Sequence, residues 1–133
     1  KTPKLYFCDT GFCAYLSSWT SRDVLMNGAA SGHYYENYVI AELVRHYAYG
    51  KNKVNLNFYR DNRMKEIDLI IEENGVLHPV EIKKTASPDK SVIKAFSVLS
   101  DAGREIGNGA VICMTDRVLP FDEDNLMMPS GII

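Results

Sequence analysis

Asp68, Glu81 and Lys83 are of types that handle a phosphodiester or a hard metal ion, and all lie in EIDLIIEENGVLHPVEIKKT, residues 66–85. That stretch reads as two short strands joined by a tight turn at Asn74-Gly75. Charged residues are out of place in strands this apolar. Side chains alternate faces along a strand, so Ile67, Leu69 and Ile71 are expected on one face, and Asp68 with Ile70 on the other. On the second strand Val80 and Ile82 face one way, and Glu81 and Lys83 the other. Pairing the strands as a hairpin brings Asp68 close to Glu81. Two buried carboxylates so close need a lysine, a metal ion or both beside them.

The fourth residue is Glu36. At about 100° per residue, the helix expected over 32–48 puts Val39, Ile40, Leu43, Val44 and Tyr47 within about 80° of Glu36, with Glu42 and Arg45 on the far side. A carboxylate in the middle of an apolar stripe has two readings. It is held there by the helix dipole and an arginine, or it is aimed at the charged cluster of the hairpin. That cluster also has two readings, as a metal site or as an internal salt-bridge network. Arg60, beside the hairpin, reads as a phosphate contact or as a partner of Glu36. Lys84, Lys90 and Lys94 form a local basic rim or are simply solvated.

Around these residues the order is strand, helix, long helix, three strands in meander, helix, strand. Residues 4–8 alternate like a strand, and Asp9-Thr10 caps a helix carrying Phe12, Ala14, Tyr15 and Leu16. Residues 20–30 read as a polar connection with an apolar patch at Val24, Leu25 and Met26, and Ser31 as the N-cap of the long helix. After Gly50 a polar turn runs through Lys53. Val54, Leu56 and Phe58 then oppose Asn55, Asn57 and Tyr59, as in a strand with one wet face. Ser87-Pro88 opens a helix with proline at its first position, ending at Gly103. GAVICM, residues 109–114, suits a central strand covered on both faces, and beyond Thr115 a short edge segment is expected. The fold class is α/β or α+β, a sheet flanked by helices.

At 133 residues, with 46% hydrophobic and 24% charged, the chain fits one globular domain with a single core. Strong binding of nucleic acid by charge alone is not expected at a net charge of −2. No apolar run reaches membrane-span length and KTPKLYF lacks the signal-peptide order, so the cytoplasm is the expected location. An opening on Lys1 rather than Met suggests a piece of a longer polypeptide. Cys8, Cys13 and Cys113 form no CxxC pair, and His33, His46 and His78 are scattered, so reduced, buried thiols are expected rather than a zinc site. No GxxxxGK or GxGxxG occurs, so no nucleotide site is expected in this chain. A nucleophile elbow and HExxH are also absent.

The set Glu36, Asp68 and Glu81-Ile82-Lys83 resembles the PD-(D/E)XK nuclease superfamily, although Ile67 stands where the motif has proline. The resemblance implies a restriction-endonuclease-like core, a central mixed sheet with a three-strand meander flanked by helices. It also implies Mg²⁺ or Mn²⁺ held by Glu36, Asp68 and Glu81, with Lys83 activating the attacking water. Glu36, Asp68, Glu81 and Lys83 are then the catalytic residues. KLYFCDTGFCAYL, GHYYENYVIAEL, FYRDNRMKEIDLII and HPVEIKKT, in this order, are similar to a domain of unknown function at the C-terminus of bacterial and archaeal AAA-type ATPases. An upstream ATPase domain of the same polypeptide and a DNA or RNA substrate are therefore the implied partners. Two functions compete: a Mg²⁺-dependent nuclease coupled to the ATPase, and a non-catalytic domain that binds nucleic acid or protein and regulates it.

Overall fold

The structure, a computed structural model, describes residues 3–51 and 53–133. Asn52, inside the turn expected between Gly50 and Lys53, lies outside the described residues. Three helices come first: α1 (Thr10–Leu16), α2 (Arg22–Asn27) and the long α3 (Ser31–Tyr49). Strands β1 (Asn55–Arg60), β2 (Glu66–Glu73) and β3 (Val76–Lys83) follow, then a 3₁₀ segment, Lys90–Ala102. The chain ends with β4 (Glu105–Ile106), β5 (Gly109–Cys113), β6 (Leu119–Pro120), β7 (Asn125–Pro129) and a 3₁₀ turn, Ser130–Ile132.

The central hairpin takes its register from its turn. Asn74 and Gly75 have φ of 51° and 88°, the left-handed pair that a two-residue type I′ turn needs. Glu73 then lies opposite Val76 and Leu69 opposite Val80. β1 pairs antiparallel with β2 to complete the meander. β5 adds to β3 in parallel, and β7 to β5, so the apolar run 109–113 is central as expected. The result is a mixed sheet in the order β1-β2-β3-β5-β7-β6, with β4 on the turn end of β3. The chain is α+β.

Each face of the sheet carries its own core. Val39, Ile40 and Leu43 of α3 pack on Leu69, Val80, Ile82 and Ile112, while Leu99 of the 3₁₀ segment packs on Ile67, Ile70 and Leu77. Burying the apolar stripe of α3 on one face and the Leu99 side of the 3₁₀ segment on the other is what fixes the layers.

Several local expectations are corrected. Residues 4–8 alternate but form no strand, because their polar contacts go to side chains of α3 rather than to a ladder. The connection over 20–30 contains α2, whose first turn is capped by Ser21 Oγ accepting from Val24 N–H at 3.3 Å. Ala30, not Ser31, is the N-cap of α3, without a side-chain bond. Val44 lies 80° from the stripe centre in projection, and it is exposed while Ala41 is buried. The segment expected from Ser87-Pro88 begins at Lys90, where Asp89 caps it by accepting from Ser91 N–H at 2.8 Å. Beyond Thr115, β7 is an internal strand and the edge is β6. Cys8 is exposed, since it follows a strap on the surface of α3 rather than a buried strand. Finally, Ile67 shares the Ile70 face instead of the Leu69 face, for a reason that also builds the site.

Candidate metal centre

Asn57 pairs with Ile70 and Tyr59 with Ile67, so the single residue Phe58 of β1 faces two of β2, Asp68 and Leu69. This is a β-bulge, which twists a strand and re-aims its side chains. It turns Ile67 onto the opposite face from Leu69 and brings Tyr59 onto that same core, leaving Phe58 exposed. It also takes Asp68 out of the ladder. In place of a main-chain bond there, Asp68 Oδ2 accepts the N–H of Ile82 at 2.9 Å.

Asp68 and Glu81 are 7% and 6% exposed, on adjacent antiparallel strands. Lys83 joins them, with Nζ 2.5 Å from Glu81 Oε1 and 3.6 Å from Asp68 Oδ2. On the other side of Asp68 stands a residue that sequence reasoning missed, Lys4. Its Nζ lies 3.1 Å from Glu36 Oε1 and 3.9 Å from Asp68 Oδ1, and contacts Glu66 as well. Anions and cations thus alternate as Glu36, Lys4, Asp68, Lys83, Glu81. All five line one cavity of about 580 Å³, together with Tyr6, His33 and Arg60.

Glu36 is held by Lys4 and by Tyr6, whose hydroxyl donates to Oε1 at 2.8 Å, and not by an arginine. Arg60 pairs with Glu66, Nε at 2.8 Å, and not with Glu36. Of the lysines read as a basic rim, Lys84 donates to the Met26 carbonyl, and Lys90 and Lys94 do not line this cavity. The alternation of residues 4–8 was a signal for Lys4 and Tyr6, which point inward while Leu5 is 93% exposed. Glu66 could have been found two residues before Asp68 on β2.

Burial pushes the Glu81 carboxyl up to about 7, helped by the Asp68 charge and opposed by Lys83. Burial works against the charge on Lys83 and Lys4, but their carboxylate partners outweigh it and raise both. Burial and its bond to Glu36 raise the Tyr6 hydroxyl. Burial opposes ionisation of Glu66, yet Lys4 and Arg60 keep it below the usual range.

Glu81 Oε2 is buried with no hydrogen-bond partner among the described residues. An ionised oxygen in that position lacks a donor or a cation, and the hard oxygens of Glu36, Asp68 and Glu81 are of the kind that bind Mg²⁺ or Mn²⁺. The donor set fits such an ion in type. Among the described residues, however, no three His, Cys, Asp or Glu side chains are gathered closely enough to hold one, while Lys4 contacts both Glu36 and Asp68, and Lys83 both Asp68 and Glu81.

The model of a family described as a domain of unknown function, DUF4143, matches residues 31–133. The chain belongs to the DUF4143 family. No curated protein and no solved structure matches it. Glu36, Asp68, Glu81 and Lys83 all fall in the DUF4143 region, whereas Lys4 and Tyr6 precede it. Among the described residues no DUF4143 helix is long and apolar enough to cross a membrane.

Proposed function

We propose that this chain is a Mg²⁺- or Mn²⁺-dependent nuclease-like phosphodiesterase with a restriction-endonuclease-like core. Its substrate is DNA or RNA, and it is coupled in the cytoplasm to an upstream AAA-type ATPase domain of the same polypeptide. The observation that carries this reading is Glu81. The hairpin register brings Asp68 beside it, and its second carboxylate oxygen is buried without a partner among the described residues. Glu36, Asp68 and Glu81 are the residues that would hold the ion, whose chemistry when bound is to acidify a water and neutralise charge on a phosphodiester. Lys83 keeps an ammonium fixed at the Asp68–Glu81 pair, where it favours a hydroxide and the negative charge that develops on phosphoryl oxygens. The 580 Å³ cavity, with Arg60 and His33 on its wall, is the place for the scissile phosphate.

The test is incubation with DNA and with RNA, with and without Mg²⁺ or Mn²⁺, beside Lys83→Met. Ion-dependent cleavage is expected, falling roughly 10²- to 10³-fold in the variant. A rise in Tm with millimolar ion is expected too, abolished by Asp68→Ala with Glu81→Ala, since a ligand of the native state alone stabilises it. Neither cleavage nor a Tm rise would leave the second reading, a non-catalytic domain that binds nucleic acid or protein and regulates the ATPase. The alternation of lysines with carboxylates supports that reading, because each carboxylate already has a cation.

A further inference from the structure

The segment 3–8 is fastened to the protein by side chains alone. Lys4 binds Glu36, Glu66 and Asp68, and the Tyr6 hydroxyl donates to Glu36. The Asn37 amide clasps Phe7, accepting from its N–H at 2.7 Å and donating to its carbonyl at 2.8 Å. Arg45 donates to the Cys8 carbonyl at 2.8 Å. No strand of the sheet pairs with these residues. Such an attachment is made mostly of replaceable polar contacts, and undoing it lifts from the core under α3 only the half-buried Tyr6 ring packed against it.

At its inner end the strap carries a single positive charge into a set of three carboxylates. Lys4 is the only cation that touches both Glu36 and Asp68 among the described residues. An ammonium satisfies carboxylates at hydrogen-bond range, whereas Mg²⁺ draws oxygens to about 2.0–2.1 Å and repels a neighbouring ammonium. The two cations are alternatives for the same oxygens. The geometry points to Lys4 as a tethered competitor for the divalent ion: the strap 3–8 is a gate that holds the site in a lysine-filled state, and the ion enters as Lys4 withdraws. This inference rests on the metal-site reading above. It adds that the apparent affinity of the site is set by the fraction of molecules with the strap released. It also accounts for carboxylates that line one cavity yet are not gathered as ligands: in this state Lys4 stands between Glu36 and Asp68.

Mn²⁺ is titrated into the wild-type chain, Lys4→Met and Asn37→Ala, with free ion read by electron paramagnetic resonance. Lys4→Met removes the competing charge, which also lies over the Phe58 ring at 5.7 Å from its centroid, and keeps an apolar stem. Asn37→Ala loosens the strap without touching a carboxylate. Expected is Mn²⁺ binding roughly tenfold tighter in Lys4→Met and a smaller gain in Asn37→Ala. If Lys4→Met does not fold, Asn37→Ala decides. Wild-type binding with no gain in either variant overturns the gate and leaves the metal site standing. Absence of binding in all three proteins overturns both.

Discussion

The two ends of the β2–β3 hairpin obey different rules. At the turn end, Asn74-Gly75 supplies the residue types its dihedrals require, the ladder runs unbroken from Glu73–Val76 to Leu69–Val80, and Glu72 pairs with Arg104 on the surface. At the open end that ladder stops at Leu69–Val80, β2 is bulged against β1, and Asp68 takes a main-chain N–H with its side chain. Two carboxylates are buried there, one with an oxygen lacking a partner. Local propensity, register and charge agree at one end and conflict at the other. Conflict of this kind is the expected mark of a site where chemistry outranks stability.

Substitutions at the open end should therefore have large effects that depend on pH and ions. Lys83→Met is expected to destabilise the ion-free protein most. Removing one partner of a buried charge cluster costs roughly 3–5 kcal/mol. Here the low end applies, because the Lys83 side chain keeps 38% of its exposure and Glu81 can take up a proton. Urea denaturation without divalent ions should show a loss of about 3 kcal/mol. A loss under about 1 kcal/mol, as for an exposed pair, would mean that the open end is no more than a surface salt bridge.

The next effect in size concerns pH. Glu81 titrates near 7 in the folded chain against 4.5 ordinarily, so between those values the folded protein holds a proton that the unfolded chain has released. The resulting stabilisation is complete below 4.5 and is lost as pH rises through 7. Glu81→Gln should remove this dependence. Relative to Glu81→Gln, the wild type is expected to lose about 2 kcal/mol between roughly pH 5 and 8. Parallel stability profiles for the two proteins would show that Glu81 ionises freely.

What could be read from the residues follows the same division. The type I′ turn, the meander, the central position of 109–113 and the stripe of α3 rest on local patterns that tertiary context did not override. The convergence of Asp68, Glu81 and Lys83 was legible because a hairpin register is set by its turn. The bulge was not: a strict period of two has no way to announce an extra residue, so Ile67 was placed on the wrong face. Lys4 was missed for another reason. Its contacts to Glu36, Glu66 and Asp68 are distant in sequence, and nothing in the alternation of residues 4–8 distinguishes a strand from a strap laid across a helix.

The turn end offers the smallest effect and the cleanest control. Gly75 holds φ of 88°, and a Cβ built there meets nothing within 4 Å. The only penalty for Gly75→Ala is then backbone strain in the left-handed region, about 1–2 kcal/mol, partly offset by the lower entropy of the unfolded alanine chain. A net loss of about 1 kcal/mol in urea denaturation is expected. Because the ladder between Glu73–Val76 and Leu69–Val80 separates this turn from Asp68 and Glu81, the loss should be the same at pH 5 and pH 8 and with or without Mn²⁺. A Gly75→Ala cost that changed with pH or ion would show that the two ends of the hairpin are coupled through the strands, and that the bulge transmits strain rather than absorbing it.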